Sequence, residues 1–261
     1  MRIYFIIVDE PFFHPNFLQK MIVDKDGEDE IVGVTILPDK SSKLTFVSYL
    51  KKQYEFWGLK GFVWLSVKFI YYKFLDKVSD IFRLAKFYSV KSVAKFYSVP
   101  FYEVNNVNDP EHLHYLSTKK IDLVVSACGQ IFKKELLAIP EIGIINRHSS
   151  LLPKYGGLWP VFWALLHDEP NVGVSVHWME EKIDTGKVIY QEKILVSTKD
   201  TLNTLYSKAF AISSNVVLKA INMIKNNLYM PLKCDETISP SYYSTPTKEQ
   251  IKMFKYKRRM I

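Results

Sequence analysis

Two apolar, strand-like runs that each end in polar, chemically capable residues constrain this chain more than any other feature. From Ile144 to Gly186 it reads IINRHSSLLPKYGGLWPVFWALLHDEPNVGVSVHWMEEKIDTG. The first run, Gly143 to Ile145, ends on Asn146, Arg147 and His148. A loop with Gly156-Gly157 follows, and then a helix-like run from Pro160 to Leu166. The second run, Val172 to Val176, leads to His177 and on to Ile183-Asp184-Thr185-Gly186. In an open α/β sheet, ligands bind beyond the carboxyl ends of strands, which is where such polar groups are expected. Asn, His and Asp arriving there can stabilise charge and move protons.

The flanking sequence fits the same class. Arg2 to Val8 reads as a buried strand, a helix is expected from about Asn16, and Ile31 to Leu37 is a second strand before the loop Pro38–Ser42. This β-α-β opening predicts a Rossmann-like, doubly wound α/β fold with a mostly parallel sheet. No G-x-G-x-x-G follows the first strand, so a dinucleotide fingerprint is absent. Phe101 to Val104 and Asp122 to Ser126 read as strands, Asn108 or Asp109 can cap a helix that starts with Pro110, and Phe132 to Ala138 reads as helical. Asp200 can cap a helix over Thr201–Asn226, whose Leu202, Leu205, Ala209, Ile212, Val216, Ala220 and Met223 recur at three and four residues. After Asn227 an extended tail with Pro231, Pro240 and Pro246 is expected. The expected division is a catalytic domain over 1–226 and a C-terminal extension over 227–261.

The segment Leu44 to Ala94 is helical in pattern and rich in Phe, Tyr, Trp and Lys. Lys68, Lys73, Asp76 and Lys77 interrupt it short of the ~20 apolar residues that cross a bilayer. A core-facing helix pair is expected there, with a helix on a membrane surface as the alternative. AKFYSV occurs at Ala85–Val90 and again at Ala94–Val99, too short and too few for a solenoid.

Composition narrows the function. At 261 residues and 48% hydrophobic, the chain can bury a sizeable core. Cys128 and Cys234 are far apart, and neither their spacing nor their number suggests a disulfide framework or a zinc site, so no metal is expected. MRIYFIIVDEPFF reads as a first strand rather than a signal peptide, and a reduced cytoplasmic location fits. The net charge of +8 suits either a solvated lysine-rich surface or a phosphorylated small molecule. The basic run KYKRRM is short for a nucleic-acid arm, so no nucleic-acid partner is expected. No integral membrane segment is expected, and a homodimer is left open.

At Asn146-Arg147-His148, Ser150-Leu151-Leu152-Pro153, Gly156-Gly157, Ser175-Val176-His177 and Asp184-Thr185-Gly186 the chain resembles the folate-dependent formyltransferases. The ordered set carries the resemblance, from about Ile121 to Lys225. Many members have Arg-Gly after the proline, where this chain has Gly156-Gly157. The resemblance implies 10-formyltetrahydrofolate as co-substrate and Asn146, His148 and Asp184 as catalytic residues. Asn146 would donate to the developing oxyanion, His148 would carry a proton, and Asp184 would orient the imidazole or relay a proton. Taken singly, each reads more simply as a turn or loop residue. His177 reads as structural or as support for the others. The resemblance also implies that the cofactor lies against the backbone of Gly129, Gln130 and Ile131 and the loop carrying Asp184. Tyr155, Trp159, Tyr242 and Tyr243 are candidates to stack on a nucleotide base.

Within the family, size and the tail SYYSTPTKEQIKMF look most like the nucleotide-linked amino-sugar N-formyltransferases that modify 4-amino-4,6-dideoxy hexoses of surface glycans. The methionyl-tRNA enzymes are the alternative. They carry a C-terminal β-barrel, whereas about thirty-five residues follow the last predicted helix here. A catalytically silent folate or sugar-nucleotide binder is the reading from a different class.

Overall fold

The computed structural model describes residues 1–39, 45–227 and 239–257. The chain divides into two compact units, Met1–Ile144 and Ile145–Ile261.

The first unit runs β1 (Arg2–Asp9), α1 (His14–Asp24), β2 (Glu30–Pro38), α2 (Phe46–Phe82), α3 (Val90–Phe96), β3 (Phe101–Glu103), α4 (Pro110–Ser117), β4 (Leu123–Ala127) and α5 (Lys134–Leu137). Its strands lie in the order β3-β2-β1-β4, all parallel. β1 is central, and its Tyr4, Phe5, Ile6 and Ile7 are fully buried. A strand covered on both faces reads as an unbroken apolar run, which is why YFII predicted it. α1 starts two residues earlier than expected, because the Glu10 carboxylate accepts the backbone N–H groups of Phe12, Phe13 and His14. This cap precedes the helix by several residues and leaves no S/T/D/N signal at its start. α4 begins as read, with Asp109 capping the Glu111 N–H and Pro110 in its first turn.

The helix pair expected over 44–94 is present, since α2 is two helical stretches that meet at a kink at Gly58 (φ 73°), but it is not core-facing: only Phe56, Gly61 and Ser79 are buried in it. Its apolar residues outnumber the positions that face the body of the unit, so many remain outside. The two AKFYSV copies differ in conformation: the first connects α2 to α3, and the second runs off the end of α3. They are not a structural repeat.

β5 (Gly143–His148) begins in the first unit and carries the chain into the second. The second unit continues with β6 (Gly156–Gly157), α6 (Pro160–Leu166), β7 (Asn171–Trp178), β8 (Val188–Leu195), α7 (Leu202–Lys225), β9 (Tyr242–Tyr243) and α8 (Lys248–Lys257). β5, β7 and β8 form antiparallel pairs in that order, and β6 pairs in parallel with β9.

Three expectations change here. The α7 cap is Thr201, in a capping box with Thr204, while the Asp200 carboxylate accepts from Ser197 N–H, Thr204 and Lys208. Ile212 and Met223 of α7 are half-buried, and Ser213 and Ser214 take buried positions instead. The tail is not simply extended. Ile251 and Phe254 give α8 an apolar edge at i and i+3, and Phe254 is fully buried with its ring stacked 4.5 Å from Phe162 of α6. Pro231, Cys234 and part of KYKRRM lie outside the described residues, as does most of the 38–42 loop.

Candidate active site

β5 ends on Asn146, Arg147 and His148. The polar triplet was expected just past a strand, but it is inside one: Asn146 pairs with His177 and His148 with Ser175 across the antiparallel ladder to β7. Side chains alternate along a strand, so Asn146 and His148 share one face and Arg147 takes the other. Arg147 is accordingly structural. Its Nε donates to Ser213 Oγ at 2.8 Å, and its guanidinium lies 3.9 Å over the Phe210 ring on α7.

The pairing also makes His177 a member of the site. Cross-strand neighbours on one face are in direct reach, and Asn146 Nδ2 lies 3.3 Å from His177 Nε2. The signal was present in the sequence, since Ser175-Val176-His177 alternates like Asn146-Arg147-His148, but the register was not.

Asp184 completes the cluster from the segment between β7 and β8. It adopts a left-handed backbone (φ 52°), which Asp tolerates better than most residues. The Gly157 N–H donates to its Oδ2 at 2.6 Å. Oδ2 is 3.8 Å from His148 Nδ1, and Oδ1 is 3.4 Å from His177 Nε2. One carboxylate thus faces two imidazoles. Tyr155, Gly157 and Trp159 also have positive φ. For the two aromatic residues that geometry costs roughly 1–3 kcal/mol each, and such outliers gather at functional loops.

Proton positions follow from the carbonyls. His148 Nε2 is 2.9 Å from Tyr155 O, so Nε2–H donates there and Nδ1 keeps its lone pair toward Asp184. His177 Nδ1 is 2.9 Å from Trp178 O and donates to it. Burial pushes the His148 pKa below its ordinary value, only partly offset by the Asp184 charge. Burial alone would raise the Asp184 pKa, but the His177 ring 3.4 Å from its Oδ1, the His148 charge and the Gly157 N–H hold it at about 2. At pH 7 the site therefore holds a carboxylate and, in His148, a neutral base. Asn146 Oδ1 is buried with no hydrogen-bond partner among the described residues. A buried polar end left unmade costs roughly 1–3 kcal/mol, and a ligand group can recover it. The Asn146 Nδ2 carries two N–H groups, and the contact with His177 Nε2 uses one of them.

The remaining expected site residues divide. Tyr243 is stacked between Tyr155 (5.6 Å) and Trp163 (4.6 Å), and the Tyr155 hydroxyl donates to Glu169. Both rings are committed to each other. Trp159 is half-buried, edge-on to Tyr206, and Tyr242 is exposed. Gly129, Gln130 and Ile131 belong to the first unit, where the Gln130 amide bridges Val107 N–H and Asn105 O, and Ile131 O accepts from Asn108. Among the described residues no group of His, Cys, Asp or Glu could hold a metal ion.

Residues 72–221 match the formyl transferase family, more than half of the chain, and the chain belongs to that family. Its fold is the α/β formyltransferase fold with a mostly parallel sheet, as its sequence predicted. The Bifunctional polymyxin resistance protein ArnA of Wigglesworthia glossinidia brevipalpis is 34% identical over 164 residues, which are 62% of this chain and 25% of that protein. A methionyl-tRNA formyltransferase of Prochlorococcus marinus is 37% identical over 150 residues, 57% of this chain and 46% of that one. The chain thus spans between a quarter and about half of the length of these relatives. Among solved structures, a sugar N-formyltransferase from Shewanella superposes with a TM-score of 0.60 at 16% identity, covering 97% of this chain and 87% of that one. A phosphoribosylglycinamide formyltransferase from Anaplasma phagocytophilum gives 0.61 at 18%, covering 94% and 99%.

Proposed function

We propose that this protein moves a formyl group from 10-formyltetrahydrofolate to the amino group of a nucleotide-linked amino sugar. The observation that carries the formyl-transfer chemistry is the buried Asn146 amide, its Oδ1 without a hydrogen-bond partner among the described residues, beside the His148–Asp184–His177 cluster. The donor supplies the activated formyl group. The Asn146 N–H is placed to donate to an oxygen as it gathers negative charge, a contribution worth roughly 3–4 kcal/mol in other enzymes. His148 Nδ1 holds a free lone pair and can take the proton that the attacking amine sheds. Asp184, anionic and anchored by Gly157, stabilises the imidazolium formed in that step. In this reading Gly129, Gln130 and Ile131 hold the pterin through backbone groups, and Trp159 and Tyr242 have ring surface for a base. Residues 1–226 are the catalytic domain, and 227–261 form an extension whose α8 docks on α6. Its work on folate and nucleotide-linked substrates belongs in the cytoplasm.

The sugar acceptor is supported by the likeness to a sugar N-formyltransferase over 97% of this chain and by the tail that resembles those enzymes. The net charge of +8 suits a diphosphate. The methionyl-tRNA reading draws on the 37% identity quoted above. The test incubates the protein with formyl donor and a panel of UDP- and dTDP-linked amino sugars, and in parallel with charged initiator tRNA. The expected product is a 4-amino-4,6-dideoxy sugar nucleotide heavier by one formyl group, formed with a mild salt dependence. A tRNA acceptor would show a steep salt slope from counterion release. Formylated tRNA with no change in any sugar nucleotide would reject the acceptor and keep the chemistry.

A further inference from the structure

The outward side of α2 is apolar. Val63, Trp64, Val67, Ile70, Phe74 and Ile81 are between 40% and 74% exposed. Val63, Val67, Ile70, Phe74 and Ile81 follow one another at steps of three, four or seven residues and so share one face, with Trp64 at its edge. The opposite side is fixed to the first unit. Lys68 Nζ lies 5.0 Å from the Phe12 ring, Tyr72 packs on Phe12 and Tyr88, and the Asp76 carboxylate accepts the Tyr88 N–H at 3.1 Å. The helix is therefore anchored along one side and bare along the other. With Leu59, Tyr71 and Phe82, also exposed, the face offers on the order of 1,000 Å², taking ~150–250 Å² for each large ring. Monomers rarely present more than roughly 300–600 Å² in one patch.

Charge decides what covers it. Between Phe46 and Lys86 six cations are exposed, Lys51, Lys52, Lys60, Lys77, Arg83 and Lys86, against one exposed carboxylate, Asp80. Asp80 already faces Lys95 at 3.9 Å. A second copy would bring six exposed cations against six, with one exposed carboxylate on each side that already faces Lys95. An anionic lipid surface is complementary to both parts of the face, its acyl boundary to the apolar stripe and its phosphates to the flanking cations. No helix among the described residues is long and apolar enough to cross a membrane, so the geometry is that of a helix lying on one. Trp64 and Tyr71 present rings with a polar end, the type of side chain that settles at headgroup depth.

We propose that the outward face of α2 docks this protein on anionic membrane surfaces, with Val67, Ile70 and Phe74 entering the headgroup boundary and Lys60 and Lys77 pairing with lipid phosphates. None of these residues belongs to the catalytic cluster, and the proposal stands whichever amine is formylated.

Co-sedimentation of the purified protein with vesicles tests it. Binding to vesicles of phosphatidylglycerol and phosphatidylcholine in equal parts should exceed binding to pure phosphatidylcholine by roughly tenfold or more. It should fall as salt shortens the Debye length. The variant V67E/I70E/F74E should lose binding while keeping the wild-type melting temperature and formyl-transfer rate, and K60Q/K77Q should lose part of it. Equal binding by V67E/I70E/F74E and wild type would overturn the proposal. So would a mass that doubles with concentration, collapses in V67E/I70E/F74E and is accompanied by no vesicle binding, since that result makes the face an interface between copies.

Discussion

His148 owes its proposed role to one carbonyl. Because Tyr155 O takes its Nε2–H, the neutral ring can only offer Nδ1 toward Asp184. His148→Asn should therefore cut kcat by about two orders of magnitude or more with the fold retained. Initial rates beside a melting curve would check this, and a near-normal rate removes His148 from the mechanism. His177 faces Asp184, with Nε2 3.4 Å from Oδ1. His177→Gln takes away the foremost of the influences that lower the Asp184 pKa. The expected result is an Asp184 pKa above about 2 and an acid limb of the rate profile displaced to higher pH. A carboxyl carbon titration followed by NMR would read the shift directly, and an unchanged value would show that Gly157 and His148 suffice. The same groups bear on stability. The His148 pKa lies below its ordinary value of 6.5 in the folded state. Its contribution is thus complete above that pH and is lost as pH falls from 6.5 toward the folded value. The Asp184 contribution is present above 3.8 and lost as pH falls from there through about 2. Melting temperature should accordingly decline on acidification from pH 7, and His148→Gln should flatten the first part of that decline.

Among the elements, α8 is the clearest departure from the sequence reading, and it is testable. Phe254→Ala removes a fully buried ring from its stack on Phe162. Such truncations cost roughly 3–5 kcal/mol in a core. Chemical denaturation should report a loss of that order, whereas a loss below about 1 kcal/mol would mean α8 contributes little. What could be read beforehand follows a physical line. Strands buried on both faces, such as β1, and helices with Pro in the first turn, such as α4 and α6, announce themselves locally. The ordered motif residues Asn146, His148 and Asp184 were legible for the same reason, each following or joining an apolar run. Register was not legible, because it depends on which strand pairs with which. That is why the pairing of His177 with Asn146 and the stack of Tyr155 on Tyr243 are not visible in the sequence. Capping from Glu10 hid the start of α1, and a local capping box with Thr204 moved the α7 cap from Asp200 to Thr201. The burial of Ser213 in α7 could not be foreseen either, since its reason is the guanidinium of Arg147 on another element.

At the scale of the whole molecule, the tail and the catalytic segment of the second unit are joined by rings. β9 lies along β6, and Tyr243 sits against Trp163 and Tyr155. An indole in contact with a phenol is an optical probe already built into the chain. If the tail lifts during substrate entry or product exit, Trp163 loses a neighbour that shapes its emission. Stopped-flow tryptophan fluorescence could then time that movement without a dye, and Trp163→Phe would silence the signal and so identify its source. A protein that flags its own opening in this way lets the order of binding and release be watched turnover by turnover, before the acceptor amine has been named.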